Sequence, residues 1–264
     1  MKPVRANFYC RGEFCPAKGE VSDGDSATYD VIRIIEGRPL FFEDHLRRIE
    51  EGLRRAGEES RTPELRRVVR QLIAKNGGRA INQNLTVLAG GKAGLVAGFI
   101  ESRYPTSEDY ANGVLTASAR IERTDPEVKT WQDDYKQKSA RTKREHGVFE
   151  VLLVDRRGCV TEGSQSNVFF LRGGTVYTPA SRYLPGITRT KVQETLREQG
   201  AQIMETDIRL ESAWEMEQAF LTGTSLFILP AQKLDRHSYV VNTDFLVRLR
   251  EQFMRRVCAD LETR

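Results

Sequence analysis

The 264-residue sequence predicts an α+β protein built from two domains. Segments rich in β-branched residues alternate irregularly with amphipathic helical patterns, and glycine turns join several neighbouring strand segments, which is typical of hairpins. The composition, 39% hydrophobic and 30% charged, is that of an ordinary globular protein, and the length allows more than one core. We place the first domain at residues 1–121, a polar linker at 122–128 and the second domain at 129–264.

The first domain is predicted to contain two helices and several strands. Apolar residues at three- and four-residue spacing predict a helix from Glu43, where Glu43 and Asp44 complement the positive end of the helix dipole. A second helix begins at Pro63 with Thr62 as its cap, because proline fits the first helical position. Residues 21–26 are typical of a loop. Strands are predicted over residues 7–14, 27–35, 84–89, 94–101 and 114–121.

The second domain is predicted to contain three helices and a larger number of short strands. A very basic helix covers residues 135–145, another covers 188–199 and ends at Gly200, and a long helix covers 243–261. Turns at Gly158 and at residues 173–174 join strand pairs into hairpins. Strands are predicted over residues 150–154, 159–161, 167–171, 176–178, 203–206, 219–222 and 227–230.

Candidate metal ligands are scarce in this sequence. Cys10 and Cys15 are five positions apart, which is wider than the usual zinc-ligand spacing, and no histidine lies near them. We therefore predict no metal site. The other cysteines and the histidines are Cys159, Cys258, His45, His146 and His237.

The net charge of +4 is compatible with weak affinity for nucleic acid. Basic residues nevertheless lie beside acidic ones on the predicted helices, and the basic run at residues 141–144 is typical of a solvated helix face. No apolar run reaches the length of a membrane span, and the N-terminus lacks the pattern of a signal peptide. We expect a cytoplasmic protein without a nucleic-acid or membrane partner.

Three short motifs carry residues suited to chemistry. Glu162 lies at a predicted strand end and is followed by a small polar loop up to Asn167. Residues 184–189, Leu-Pro-Gly-Ile-Thr-Arg, lead into a helix whose first N–H groups can bind a phosphate. Residues 221–225, Leu-Thr-Gly-Thr-Ser, add hydroxyl and amide donors after another strand. Each motif alone is most often an ordinary turn or helix cap.

In this order and spacing, the three motifs resemble the class IV aminotransferases, the fold-type IV enzymes of pyridoxal 5′-phosphate (PLP). That family includes branched-chain aminotransferases, D-amino acid transaminases and aminodeoxychorismate lyases. Residues 8–14 look like its opening strand pair, residues 29–37 resemble the segment lining its active site, and His45 with Arg48 matches its His-x-x-Arg helix start. The resemblance implies a smaller N-terminal α/β domain, a larger C-terminal β-barrel-like α/β domain, and a homodimer.

The resemblance also assigns a role to each matching position. Lys129 would form the Schiff base with PLP and act as the base at the substrate Cα, while Glu162 would keep the pyridine nitrogen protonated. Leu184 would pack against the ring, and Tyr29 and Ser225 would lie near the substrate. The phosphate would be bound by Arg48, the amides of Ile187 and Thr188, and the Thr224 hydroxyl.

The choice of lysine depends on spacing. Lys129 lies 33 residues before Glu162, as the nucleophile does in the family, whereas Lys136 lies 26 residues before it among charged residues. Lys138 and Lys143 also precede Glu162, and Lys136 remains the alternative to Lys129.

The expected reaction transfers an amino group between an amino acid and a 2-oxo acid. A lyase that eliminates pyruvate with the same lysine, and an inactive homologue that keeps the fold, remain alternatives. Two positions depart from the family pattern: the stretch after Lys129 leaves Tyr135 without an assigned place, and Lys92 follows a strand that usually ends in arginine. His45 is interpreted as a partly buried residue at a helix start, and Trp131 and Trp214 are interpreted as core or interface residues.

Overall fold

The computed structural model describes residues 7–10, 12–16, 27–130 and 133–263. The predicted loop at 21–26 and the packing role of Trp131 lie outside the described residues. The chain divides into two compact units. The first comprises Met1–Arg103, Val128–Trp131 and Arg256–Arg264, and the second comprises Tyr104–Glu127 and Gln132–Arg255.

The first unit contains an antiparallel sheet, six-stranded within the described residues. The strand order is β2-β1-β6-β5-β3-β4, and β3 pairs with β5 along almost its whole length. The strand pair that the family resemblance implies at residues 8–14 is present, whereas the single strand predicted at residues 7–14 is wrong, because a turn at Gly12, with a positive φ of 85°, folds this segment into a hairpin. The strands are β1 (Asn7–Cys10), β2 (Glu13–Pro16), β3 (Thr28–Ile35), β4 (Arg38–Pro39), β5 (Gln83–Ala89) and β6 (Leu95–Phe99).

Two helices, α1 (Phe42–Arg55) and α2 (Thr62–Lys75), pack their apolar faces on this sheet. Their predicted positions are confirmed, but the predicted Thr62 cap is wrong. Arg61 occupies the N-cap position, and no side chain in the described part of the chain caps α2. The Thr62 hydroxyl instead donates to Glu50 at 2.6 Å. The buried core of this unit includes Ile32, Ile34, Leu46, Ile49, Leu53, Val68, Leu72, Leu85 and Val87.

The second unit contains a mixed sheet, ten-stranded within the described residues. The strands follow an open path, β12-β11-β10-β14-β15-β7-β8-β9-β13, with β16 added to β15. They are β7 (Val114–Arg120), β8 (Glu150–Val154), β9 (Cys159–Gly163), β10 (Asn167–Arg172), β11 (Thr175–Pro179), β12 (Gln202–Thr206), β13 (Ile208–Arg209), β14 (Gln218–Gly223), β15 (Phe227–Leu234) and β16 (His237–Ser238).

Five helices accompany this sheet in the described chain: α3 (Ser107–Asn112), α4 (Asp133–His146), α5 (Ile187–Glu198), α6 (Leu210–Ala213) and α7 (Asp244–Glu262). The core includes Val160, Val168, Phe170, Leu221 and Leu229, and Trp214 packs against it as predicted. No helix among the described residues combines the length and the apolar character that a membrane span requires. The prediction of a mixed fold rich in hairpins is confirmed.

The two units do not coincide with the boundaries placed from sequence. Strand β7, which we assigned to the first domain, pairs in parallel with β8 and β15 and therefore belongs to the second sheet. The segment around Lys129 belongs to the first unit, because its backbone hydrogen-bonds to β3. The end of α7 belongs there too, where Asp260 accepts from the Phe41 amide at 2.7 Å.

Candidate active site

Lys129 and Tyr29, predicted as nucleophile and substrate contact, lie together in the first unit. The Lys129 carbonyl accepts hydrogen bonds from the Tyr29 amide at 2.9 Å and from the Thr28 hydroxyl at 3.2 Å. The Lys129 Nζ atom lies 5.0 Å from the centre of the Tyr29 ring, where a cation is attracted by an aromatic face. The main chain of Lys129 is thus held against the beginning of β3.

A glycine in α1 makes room for this arrangement. Thr28 is buried, and a Cβ atom on Gly52 would lie 2.5 Å from its Oγ1 atom. Glycine costs stability inside a helix, so its presence at position 52 needs a packing reason, and Thr28 supplies one.

Arg48, the predicted phosphate ligand, is partly buried and forms a two-point ion pair with the buried Asp30. Its Nε and Nη2 atoms lie 2.9 and 2.5 Å from the two carboxylate oxygens. The Nδ1 atom of His45 lies 3.1 Å from Asp30 Oδ2, and both of these residues are buried. A guanidinium has five N–H donors in a rigid fork, and the Asp30 pair uses two of them. Arg48 is therefore oriented by the protein itself.

Burial and charge set the protonation of this cluster. Burial alone would raise the pKa of Asp30, but the neighbouring Arg48 guanidinium outweighs it, so the pKa lies well below its usual range. Burial lowers the pKa of His45 below its ordinary 6.5, and the nearby charges of Arg48 and Lys129 act in the same direction against the attraction of Asp30. The cluster is a neutral histidine beside an ionised Asp–Arg pair at neutral pH.

Asp30 was not among the residues predicted from the sequence, although a signal was present. Side chains of β3 alternate between buried and partly exposed, with Thr28, Asp30, Ile32 and Ile34 on the buried side. An aspartate at an inward position of such a strand requires a cationic partner. Arg48 supplies that charge from α1.

Glu162, the predicted pyridine partner, is buried on β9 in the second unit. Its Oε1 atom lies 2.8 Å from Arg123 Nη1, and both side chains are about 5% exposed. Its Oε2 atom accepts the Leu184 amide at 2.9 Å. Arg123 was not predicted as a site residue, because it lies in the segment interpreted as a linker.

Tyr135 also belongs to this cluster. The Arg123 guanidinium carbon lies 5.2 Å from the centre of its ring, and its hydroxyl donates to the Ser164 carbonyl at 3.4 Å. The tyrosine left unassigned by the sequence therefore packs beside the ion pair of Glu162.

The Leu184 loop leads directly into α5. The Asn167 side-chain amide donates to the Leu184 carbonyl at 2.9 Å. Gly186 is the N-cap of α5, no side chain within the described residues caps it, and no acidic residue occupies the first turn. Ile187 and Thr188 are buried at this end. An uncapped helix N-terminus without acidic neighbours suits an anion such as phosphate.

Thr224 and Ser225 lie, half-buried, in the turn between β14 and β15, which the Leu226 amide closes by donating to the Gly223 carbonyl at 3.0 Å. At the end of β14, the buried Thr222 hydroxyl has no hydrogen-bond partner among the described residues. Thr222 pairs in register with Asn167 of β10. A buried unsatisfied hydroxyl is costly, and a site that accepts a ligand is one explanation for it.

Lys143, one of the other candidate lysines, is paired with a buried carboxylate. Its Nζ atom lies 2.8 Å from Glu150 Oε1. Glu150 also accepts the hydroxyls of Ser164 and Ser166 at 2.6 and 2.9 Å, and the amides of Val151 and Gln165 at 2.8 and 3.1 Å. Burial would raise the pKa of Glu150, but Lys143 and the hydrogen bonds hold it below its usual range. This network fixes the turn that follows Glu162.

Residues 27–234 match the sequence profile of the family described as amino-transferase class IV. Because this match covers most of the chain, the protein belongs to the class IV aminotransferases, and the predicted family is confirmed.

Relatives and solved structures agree with this assignment. The branched-chain-amino-acid aminotransferase of Escherichia coli K12 is 33% identical over 94 residues, which are 35% of this chain and 30% of the relative. The PLP form of a branched-chain amino acid aminotransferase from Thermobaculum terrenum superposes with a TM-score of 0.82 at 21% identity, covering 98% of this chain and 96% of that one.

A provisionally assigned 4-amino-4-deoxychorismate lyase from Legionella pneumophila has a TM-score of 0.78 at 18% identity, covering 92% and 96% of the two chains. At these identities the structural matches establish the fold, and the predicted fold-type IV class is confirmed. The sequence match spans less than a third of the E. coli relative.

Proposed function

We propose that this protein is a PLP-dependent aminotransferase that moves an amino group between an amino acid and a 2-oxo acid. Family membership supports the reaction class, and the similar Thermobaculum terrenum structure is described in a PLP form. The observation that carries the proposal is the buried Glu162 carboxylate, held at 2.8 Å by Arg123 and at 2.9 Å by the Leu184 amide. An ionised carboxylate in this position suits a protonated pyridine nitrogen.

Glu162 would hold the proton on the pyridine nitrogen of the cofactor. When bound, PLP supplies a conjugated ring that accepts the electron pair released at the substrate Cα. Arg123 lies 2.8 Å from the Glu162 carboxylate, and a neighbouring cation favours the charged form of a carboxyl group. Leu184, whose amide is anchored on the same carboxylate, would pack against the ring.

The phosphate would be bound by donors of three kinds. The first amides of α5, at Ile187 and Thr188, combine N–H groups with the positive end of the helix dipole. Thr224 would add a hydroxyl, and Arg48, oriented by Asp30, would add a guanidinium. Guanidinium, hydroxyl and helix N-terminal N–H donors are the kinds of group that suit a dianionic phosphate.

Lys129 would attach the cofactor covalently and then move the proton at the substrate Cα. Its main chain is fixed on β3, so its side chain extends from a defined point. Tyr29, whose ring lies 5.0 Å from the Lys129 ammonium, and Ser225 would contact the substrate. A base of this kind works best when its pKa lies near the working pH.

The first test is the visible absorbance of the purified protein with PLP, before and after borohydride reduction. Wild type and Lys138→Ala, an exposed lysine on α4, should both become covalently labelled, whereas Lys129→Ala should not. Labelling that persists in Lys129→Ala would transfer the role to Lys136 or another lysine. A wild type that never binds PLP would refute the proposal.

Product analysis then separates the two reaction classes. The E. coli and Thermobaculum terrenum proteins are named branched-chain aminotransferases, so leucine, isoleucine and valine are the first amino donors to test. With 2-oxoglutarate as acceptor, a transaminase forms glutamate. Release of pyruvate from 4-amino-4-deoxychorismate, without glutamate formation, would favour a lyase like the one named for Legionella pneumophila.

We further propose that the protein is a cytoplasmic homodimer, a proposal that rests on the resemblance to its family. Light scattering coupled to size-exclusion chromatography would give twice the mass of 30.0 kDa. A mass of one chain would refute the dimer, and cell fractionation would test the location.

A further inference from the structure

The peptide groups of Leu184 are held on both sides by side chains of the sheet. The Leu184 N–H donates to Glu162 Oε2 at 2.9 Å, and the Leu184 carbonyl accepts from Asn167 Nδ2 at 2.9 Å. Glu162 lies on β9 and Asn167 begins β10, and both side chains are buried. Glu162 and Asn167 therefore act on the same loop residue.

Asn167 also explains why position 186 is a glycine. Gly186 has φ −69° and ψ 133°, a conformation that any L-residue adopts, so the backbone does not require glycine there. A Cβ atom at this position would lie 2.1 Å from Asn167 Oδ1. The missing side chain makes room for the Asn167 amide, whose nitrogen bonds Leu184 while its oxygen lies against Gly186.

Gly186 is the N-cap of α5, so Asn167 contacts both the loop that is bonded to Glu162 and the start of this helix. The proposed function assigns the ring nitrogen of PLP to Glu162 and its phosphate to the start of α5. We infer that Asn167 is a positioning residue that sets the spacing between the Glu162 carboxylate and the first amides of α5. This inference rests on the proposed function. PLP is a compact molecule whose ring nitrogen and phosphate have a nearly constant separation, so binding both ends at once requires a matching spacing in the protein.

Substitution of Gly186 by alanine tests this role in two backgrounds. In Gly186→Ala the new methyl group would displace the Asn167 side chain and break its bond to Leu184. We expect about a tenfold or greater loss of PLP affinity, since small misplacements of binding groups have effects of that order. In an Asn167→Ala background, Gly186→Ala should cause no further loss, because the atom it would strike is absent.

Fragments of the cofactor separate positioning from general damage. Pyridoxal contains the ring without the phosphate, and inorganic phosphate contains only the other end. If Asn167 sets the spacing, Asn167→Ala and Gly186→Ala should keep their affinity for each fragment within about threefold and lose affinity mainly for intact PLP. Gln165→Ala, which truncates an exposed side chain in the neighbouring turn, is the matched control and should bind all three probes as wild type does.

The results that contradict the inference are distinct from those that contradict the proposed function. Two results would show that Asn167 has only a structural role, even though wild type binds PLP. One is an equal loss of PLP affinity from Gly186→Ala in the wild-type and Asn167→Ala backgrounds. The other is a parallel loss of affinity for PLP, pyridoxal and phosphate. A wild type that binds no PLP would refute both. If Gly186→Ala does not fold, recovery of a cooperative melting transition in the Asn167→Ala, Gly186→Ala double variant supports the clash, and failure to recover refutes it.

Discussion

Replacing Lys143 by methionine should destabilise the protein in a pH-dependent way. The substitution removes the cation 2.8 Å from Glu150, a carboxylate that is only 1% exposed. Two serine hydroxyls and two backbone amides would still donate to it. Loss of one partner of a buried ion pair costs about 3–5 kcal/mol, and the four remaining donors place the expected cost near the lower end, at about 3 kcal/mol.

The sign of the pH dependence follows from the pKa of Glu150. In wild type this pKa lies below its ordinary 4.5. The ionised Glu150 therefore stabilises the fold fully above pH 4.5, and this contribution is lost only as the pH falls through the lower pKa of the folded protein. Without Lys143 the main opposition to burial is gone, and we expect the folded pKa to rise above that of the unfolded chain. Stability then falls as the pH rises through the raised value, so the deficit of the variant is larger at pH 7 than at pH 5.

Scanning calorimetry at both pH values measures the effect. A loss of about 3 kcal/mol lowers the Tm of a protein of this size by about 6–12 °C. Lys138→Met, on the same helix but exposed, is the control and should change stability by less than about 0.5 kcal/mol. A Tm loss in Lys143→Met that is no larger than in the control, or that does not shrink at pH 5, would refute the reasoning.

Three further substitutions test other parts of the structure. In wild type the neutral, buried His45 stabilises the fold fully above pH 6.5 and progressively less below it, so the Tm falls between pH 7 and pH 5.5. His45→Gln should make this fall in Tm smaller. An unchanged slope of Tm against pH contradicts this. Arg123→Gln should lower the Tm of the PLP-free protein, since it removes the guanidinium 2.8 Å from the buried Glu162 carboxylate, at a cost of about 3 kcal/mol. Added PLP should then raise its Tm more than that of wild type, and an equal rise would count against a contact between Glu162 and the ring nitrogen. Gly52→Ala, which helix propensity alone would make stabilising by about 1 kcal/mol, should instead lower the Tm, because the new Cβ would lie 2.5 Å from the Thr28 hydroxyl.

The helices and strands with strong local patterns were predictable from the sequence. Strand β8 has the predicted bounds, and α7 and α5 begin within one residue of their predicted starts. The errors occurred where the outcome depends on distant partners. Residues 7–14 form a hairpin because the second strand pairs with the first. Thr62 does not cap α2, and its hydroxyl instead donates to Glu50 of the preceding helix.

The candidate site shows the same division. The three motifs were visible because each is a run of neighbouring residues, and their order was enough to indicate the family. The partners of the predicted residues were not visible, since Asp30 and Arg48 are 18 positions apart and Arg123 and Glu162 are 39 apart. Only the inward position of Asp30 on an alternating strand could have indicated a buried ion pair.

The sequence by itself therefore determined the class of fold, the family and the residues of the three motifs, because periodicity, turn residues and motif order are local properties of the chain. The tertiary structure alone decided which charges neutralise one another and why particular glycines are needed. The 2.1 Å approach of Asn167 to the missing Cβ of Gly186 depends on the packing of a strand against a loop 19 residues further along. Such contacts depend on distances in the folded chain, and local sequence patterns do not contain them.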